Sequence, residues 1–169
     1  ANIIRANTTI TNLQDNVFFD QSVLRFEAEG RRADVTLTAQ DDAVSVTHRR
    51  SGEEFASVPL DSLNQVVLAG TDSRGSDRFT LDAEVVSQIP EGVVVEGGRG
   101  RRDLLVIRGS SADDDVVIDG NRVTINGATI EYSGIERIRL ELGEGDNQVQ
   151  VVDDGGARIF VREGGRRRR

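Results

Sequence analysis

The sequence predicts an all-β fold, and the prediction rests on short apolar runs, frequent turn residues and an internal repeat. The stretch from Val93 to Val152 is a series of β-branched runs separated by Gly, Asp and Asn, without a long segment of helical period. Val, Ile, Leu and Ala supply nearly all apolar side chains, beside 6 Phe, 1 Tyr and no Trp or Met. Such side chains suit thin, regularly stacked strands.

The internal repeat has a period of about 69 residues. Asp34 aligns with Asp103, and Asp77 aligns with Asp146, at the same offset of 69 residues. Near the C-terminus, Glu163-Gly164-Gly165 and the arginines that follow repeat an earlier Glu-Gly-Gly with its Arg-rich tail. We therefore predict four segments, which are an N-terminal strand segment (1–25), repeat 1 (26–95), repeat 2 (96–162) and the Arg-rich start of a truncated third repeat (163–169).

Two architectures fit this pattern. Strands that start near residues 137, 147 and 157 leave room for one strand and one turn per step, which is too short for a βαβ crossover. We favour a β-solenoid (a parallel β-helix or β-roll) whose coils stack in parallel, because a regular repeat is its main signature. Antiparallel β-sandwich domains in tandem are the alternative.

The first repeat contains several predicted strands and one segment with two interpretations. Alternation in Val44-Ser45-Val46 indicates a strand with one buried face. Residues 82–89 form either one helical turn or a loop, which Pro90 ends. The predicted strands are Val35–Thr38, Ala43–Thr47, Phe55–Val58, Gln65–Ala69, Arg78–Leu81 and Val93–Glu96.

The second repeat is richer in tight-turn signals. Asp119-Gly120-Asn121 and Asn126-Gly127 predict an antiparallel meander over Val116–Tyr132. The predicted strands are Leu104–Ile107, Asp115–Asp119, Arg122–Ile125, Thr129–Tyr132, Arg137–Leu142, Asn147–Val151 and Arg158–Val161.

Composition restricts the classes of partner and location. A net charge of −8 argues against nucleic acid as a partner, because a nucleic-acid binder needs a basic surface. No apolar run approaches the roughly 20 residues of a membrane-spanning helix, so we expect no membrane insertion. The chain starts at Ala1 rather than Met, which is the pattern of a mature secreted product. We expect an extracellular or cell-surface location.

A glycine- and aspartate-rich stretch carries a family resemblance. Residues 97–106, GGRGRRDLLV, resemble the nonapeptide of haemolysin-type (RTX) calcium-binding β-rolls, and so do Gly75-Ser76-Asp77 and Gly143 to Asp146. The longer block at 113–151 resembles the degenerate repeats of large bacterial secreted surface proteins with β-helical architecture. The resemblance implies Ca²⁺ as a cofactor, with Asp77, Asp103 and Asp146 as its ligands.

The same turns depart from the calcium-binding pattern. Gly100 and Asp103 are separated by one residue too many, and arginines stand where oxygen ligands are needed. A calcium ion takes six to eight oxygen ligands, and a guanidinium group supplies none. These turns therefore look like a β-roll in which Arg–carboxylate pairing between coils has replaced the metal.

The sequence gives little support to an enzyme. It contains no Lys and no Trp, and the single His48 stands beside Arg49 and Arg50. No nucleophile elbow, phosphate-binding loop or zinc-protease motif occurs. We expect no enzymatic activity, with a polysaccharide-active β-helix enzyme as the least supported alternative.

These observations predict an extracellular structural protein whose copies polymerise head to tail. A stack of strands leaves unpaired backbone at both ends, which the next subunit can continue. A calcium-dependent adhesin that contacts a surface polysaccharide is the alternative. The predicted subunit interface consists of Asn2, Ile3, Ile4, Ile10, Ile159, Phe160, Val161, Arg166, Arg167, Arg168 and Arg169.

Overall fold

The computed structural model describes residues 9–10, 16–30, 32–72 and 74–164. This part of the chain contains sixteen strands, one α-helix and one short 3-10 helix, which confirms the all-β prediction. The strands up to the helix are β1 (Thr9–Ile10), β2 (Asn16–Asp20), β3 (Val23–Glu27), β4 (Asp34–Gln40), β5 (Ala43–His48), β6 (Glu54–Pro59), β7 (Gln65–Ala69) and β8 (Arg78–Asp82). The 3-10 helix, Leu60–Ser62, lies between β6 and β7.

The helix α1 (Ala83–Ser87) lies between β8 and β9. The remaining strands are β9 (Val93–Glu96), β10 (Leu104–Arg108), β11 (Asp115–Asp119), β12 (Arg122–Ile125), β13 (Ala128–Ser133), β14 (Arg137–Leu142), β15 (Gln148–Asp153) and β16 (Arg158–Glu163). Every strand predicted in the two repeats is therefore present. The helical interpretation of residues 82–89 is confirmed, because the Asp82 carboxylate caps the helix by accepting from Glu84 N at 3.0 Å.

The strands form two mixed sheets of eight strands each. Sheet A has the order β1-β6-β5-β4-β8-β10-β14-β16, and sheet B has the order β15-β11-β12-β13-β9-β7-β3-β2. Strands β4, β8, β10, β14 and β16 are joined by parallel ladders, and so are β3, β7, β9 and β13. The alternative of purely antiparallel sandwiches is therefore wrong.

Five times along the described chain, a strand of sheet B is followed by a strand of sheet A, and we call each such pair of strands a pass. These passes are β3 to β4, β7 to β8, β9 to β10, β13 to β14 and β15 to β16. In sheet A the passes share one register, so that Asp34, Arg78, Leu104, Arg137 and Arg158 lie in one row across the strands. In sheet A, consecutive passes therefore lie on adjacent strands, whereas in sheet B strands β11 and β12 lie between the last two passes.

Two antiparallel meanders interrupt the parallel order. Strands β4, β5 and β6 form one in sheet A, and β11, β12 and β13 form the other in sheet B, as the turn signals near Asn121 and Asn126 predicted. Because the meanders lie in different sheets, Asp77 and Asp146, which align at the 69-residue offset, are not equivalent in the stack. Asp77 precedes a strand of sheet A, whereas Asp146 lies just before a strand of sheet B. The segment boundaries stay a prediction.

One hydrophobic core joins the two sheets. Its inward rows include Val35, Phe79, Leu105 and Ile138 of sheet A, all of them buried and in register. Each fully buried side chain of this size contributes about 1.5–3 kcal/mol relative to exposure, so these apolar rows hold successive passes together. No helix in the described part of the chain is long and apolar enough to cross a bilayer.

Candidate functional site: a carboxylate ladder and an open sheet end

Asp77 is a buried carboxylate directly before β8. Its Oδ1 accepts a hydrogen bond from Ala33 N at 2.6 Å, and its Oδ2 accepts one from Thr71 N at 2.7 Å. The residue is 1% exposed. Since buried N–H groups must find acceptors, this side chain satisfies one donor in the neighbouring pass and one in its own turn.

Asp103 occupies the corresponding place before β10. Its Oδ1 accepts from Asp77 N at 2.7 Å, and its own N–H donates to Glu136 Oε2 at 2.8 Å. Its Oδ2 is buried without a hydrogen-bond partner among the described residues. Burial raises the pKa of Asp103 to about 6, against the opposing effect of the hydrogen bond from Asp77 N.

Together these contacts form a carboxylate ladder, which we define as Asp77, Asp103 and Glu136. Each member directly precedes a strand of sheet A and accepts an N–H from the corresponding residue of the preceding pass. Hydrogen bonds to charged acceptors contribute about 1.5–3 kcal/mol each. The corresponding place before β16 is held by Ala157, which offers no carboxylate.

Asp146 does not join this ladder. It is exposed in the turn between β14 and β15, and its N–H donates to Asp113 Oδ1 at 2.8 Å. The next residue, Asn147, accepts from Asp114 N at 3.0 Å and so repeats the ladder contact before a strand of sheet B. The structure therefore brings Asp77 and Asp103 together and places Asp146 in a different turn.

The carboxylates of the ladder face N–H donors. A calcium ion at Asp77 would have to replace the hydrogen bonds from Ala33 N and Thr71 N, and an N–H dipole directed at a cation is repulsive. Among the described residues, no group of three or more potential metal-ligating side chains is present. Calcium binding stays a prediction, which calorimetry with Ca²⁺ tests. The ladder donors are backbone groups rather than the guanidinium groups that the sequence suggested.

His48 lies at the end of β5. Its Nδ1 lies 3.0 Å from Ser51 Oγ, and its ring meets the edge of Phe55 at a centroid distance of 6.5 Å. These contacts anchor the turn that follows the strand. The absence of enzymatic activity stays a prediction.

The second candidate site, after the carboxylate ladder, is the open end, which we define as strands β15 and β16. No described strand pairs with the outer edge of either strand. In the described part of the chain, the exposed large hydrophobic side chains all lie here, and they are Val151 (47%), Val152 (59%), Phe160 (48%) and Val161 (44%). Val161 continues the row of Leu140, which is fully buried one strand earlier, so the core itself is uncovered at this end.

The predicted interface residues divide into three groups. Ile159, Phe160 and Val161 lie in β16 at the open end. Ile10 pairs with Ala56 of β6 in the same chain, so this residue extends a sheet of its own molecule. Asn2, Ile3, Ile4 and Arg166 to Arg169 lie outside the described residues.

Comparison of the sequence with known protein families and curated proteins, and of the fold with solved structures, finds no match. The function is therefore argued from the geometry of the ladder and of the open end. Sequence reasoning missed Glu136 and Asn147, although each is a carboxylate or amide directly before a strand. It also missed Val151 and Val152, because apolar residues in a predicted strand indicate burial.

Proposed function

We propose that the protein is a structural subunit of an extracellular filament or surface layer, in which copies associate end to end. The observation that carries this proposal is the open end, where two strands with unpaired edges expose apolar side chains. Unpaired edges that carry exposed apolar residues readily accept further strands. The extracellular location rests on the resemblance to the repeats of bacterial surface proteins.

We also propose that the five passes are coils of a β-solenoid built from the tandem repeats. Their common register in sheet A and the parallel ladders in both sheets support this interpretation. In a solenoid each coil contacts only its neighbours, so the last coil presents the same kind of surface as an interior one. A second copy can therefore continue the stack.

The proposed partner surface is the N-terminal end of a second copy. Strand β2 is the last described strand of sheet B there, and the described residues of β1 pair with Ser57 and Ala56 of the six-residue β6 in sheet A. Both ends are formed by the last strands of the same two sheets, which supports the stacking of one end on the other. Strand β15 would extend sheet B against β2, and β16 would extend sheet A at the end where β1 is the edge strand.

Sedimentation velocity over a concentration series, with negative-stain electron microscopy, tests this proposal. We expect the wild-type chain to form oligomers that grow with concentration. Val161→Asp should shift them to monomers, because this position continues the buried row of Leu140 and the charge would lie where the next copy buries apolar surface. The matched control is Thr38→Asp, an exposed position within sheet A, which should leave association unchanged.

Two outcomes contradict the proposal. A wild-type chain that stays monomeric at every concentration removes end-to-end association. A distribution that stops at the dimer indicates that two open ends pair with each other, which excludes a head-to-tail polymer.

A further inference from the structure

Three arginines lie in the two turns that end with Asp77 and Asp103 of the carboxylate ladder. Arg74 belongs to the turn before β8, and Arg101 and Arg102 belong to the turn before β10. All three side chains are exposed, and together with Gly75 and Ser76 they line an open surface cavity of about 540 Å³. We call these five residues the arginine corner.

The ladder fixes the distance between the two turns. Asp77 N donates to Asp103 Oδ1 at 2.7 Å, and Leu104 N donates to Asp77 O at 2.9 Å, so the turns sit on adjacent strands. Adjacent strands are about 4.8 Å apart. These hydrogen bonds therefore hold the two turns that carry the arginines next to each other.

These arginines take part in none of the ion pairs between described residues, which involve Arg25, Arg49, Arg50, Arg108, Arg122 and Arg139. Clustering like charges is unfavourable unless an anion compensates for it, and the chain as a whole carries a net charge of −8. A protein with 29 acidic residues could pair these arginines internally. Because the three side chains are exposed, adjacent and without an ion-pair partner among the described residues, they are available to an external anion.

We propose that the arginine corner is an oxyanion-binding site that takes the carboxylate or sulfate groups of an acidic polysaccharide. Guanidinium groups bind such planar or tetrahedral oxyanions through paired N–H donors. A single anion at an exposed site binds weakly, so useful affinity requires a chain with repeated anionic groups. None of the described residues that line the cavity is aromatic, which disfavours single-stranded nucleic acid because that ligand needs a stacking surface.

Binding of the full chain to immobilised polysaccharides tests this proposal. The probes are polygalacturonate for carboxylate groups, dextran sulfate for sulfate groups, and dextran as the neutral polymer. We expect the wild-type chain to bind one or both anionic polymers, more weakly at higher ionic strength, and not to bind dextran. The stronger anionic probe identifies the preferred group.

Two variants of equal charge give the decisive contrast. Arg101→Gln/Arg102→Gln should weaken binding by about tenfold or more, since each lost charge-assisted contact contributes substantially to affinity. Arg108→Gln/Arg122→Gln, which removes two arginines elsewhere on the surface, should change binding by less than about twofold if the site is local. Arg74→Gln alone should also weaken binding, because the site spans both turns. Thermal unfolding of each variant verifies the fold.

Several results would overturn the proposal. One is a wild-type chain that binds neither anionic polymer, and another is an equal loss in both double variants, which would mean that only net charge matters. Tighter binding to an oligothymidine than to either polysaccharide would assign the corner to nucleic acid. Loss of self-association in Arg101→Gln/Arg102→Gln with unchanged polymer binding would assign it to the acidic surface of a second copy.

Discussion

The two ends of the molecule finish the same two sheets in different ways. At the N-terminal end β2 pairs antiparallel with β3, and Val17 and Phe19 are only 4% and 1% exposed. At the open end β15 and β16 extend parallel ladders, and Val151 and Phe160 are 47% and 48% exposed. A hairpin strand follows its partner directly in the chain, whereas a parallel strand needs a longer crossover. The difference in exposure marks the open end as the one whose apolar side chains need a partner.

The largest expected effect contrasts aromatic residues at the two ends. Phe19→Ala should lower the free energy of unfolding by about 3–5 kcal/mol, because the ring is buried and its loss leaves a cavity. Phe160→Ala should change it by less than about 0.5 kcal/mol in the dilute monomer, because the side chain is half exposed. Urea denaturation at low protein concentration measures both. Similar losses for the two variants would mean that the open end is covered in the monomer.

A second effect separates the ladder from the exposed turns. Asp77→Ala should lower the free energy of unfolding by about 2–4 kcal/mol, because it leaves two buried N–H donors without an acceptor. Asp146→Ala is the control, with an expected change below about 0.5 kcal/mol, because its side chain is exposed. Denaturation in the presence of a chelator measures both. A strong effect of Asp146→Ala would show that this turn contributes to stability after all.

The pH dependence of stability tests the buried Asp103. Its pKa in the folded chain, about 6, is above the ordinary value of 3.8, so the folded state holds the proton more tightly than the unfolded chain does. The contribution of this group is therefore most favourable on the acid side and is lost as the pH rises from about 4 to about 6. We expect a loss on the order of 1–3 kcal/mol over that range.

Comparison with Asp103→Asn isolates this contribution, since the amide does not titrate. The melting temperature of wild type should fall more steeply than that of the variant between about pH 4 and about pH 6. Parallel curves for the two proteins would show that Asp103 is ionised normally.

The smallest expected effect comes from Ala157→Asn, a substitution that extends the ladder to the open end. Asn147 already accepts a backbone N–H from Asp114 in sheet B, so Ala157→Asn should let the last pass accept the N–H of Glu136 in the same way. We expect a gain of about 0.5–1 kcal/mol, the net contribution of one hydrogen bond. Thermal unfolding measures it, and a loss of stability would mean that the last pass does not repeat the interior geometry.

Much of the fold could be predicted from local sequence. Runs of β-branched residues predict the strands of both repeats, and glycine-rich turn sequences predict the turns at Asn121 and Asn126. Both signals are local in the sequence. Which sheet each strand joins is not a local property, and so the aligned residues Asp77 and Asp146 occupy different turns. The acidic turn residues were visible as a motif, but their partners are backbone N–H groups of strands distant in sequence, and only the stacking of passes reveals them. The exposure of Val151 depends on the absence of a covering strand among the described residues, which a hydrophobic pattern does not encode.

Cross-linking at the two ends tests the central claim most directly, because the chain has no cysteine of its own. Gln150→Cys places a thiol in the middle of β15, and Phe18→Cys places one in the middle of β2. Under oxidising conditions the double variant should give a ladder of disulfide-linked multimers, and a mixture of the two single variants should give a Gln150→Cys/Phe18→Cys dimer as its main product. Disulfide dimers of Gln150→Cys alone, or no cross-linking in the double variant, would contradict end-to-end stacking of the open end on the N-terminal end.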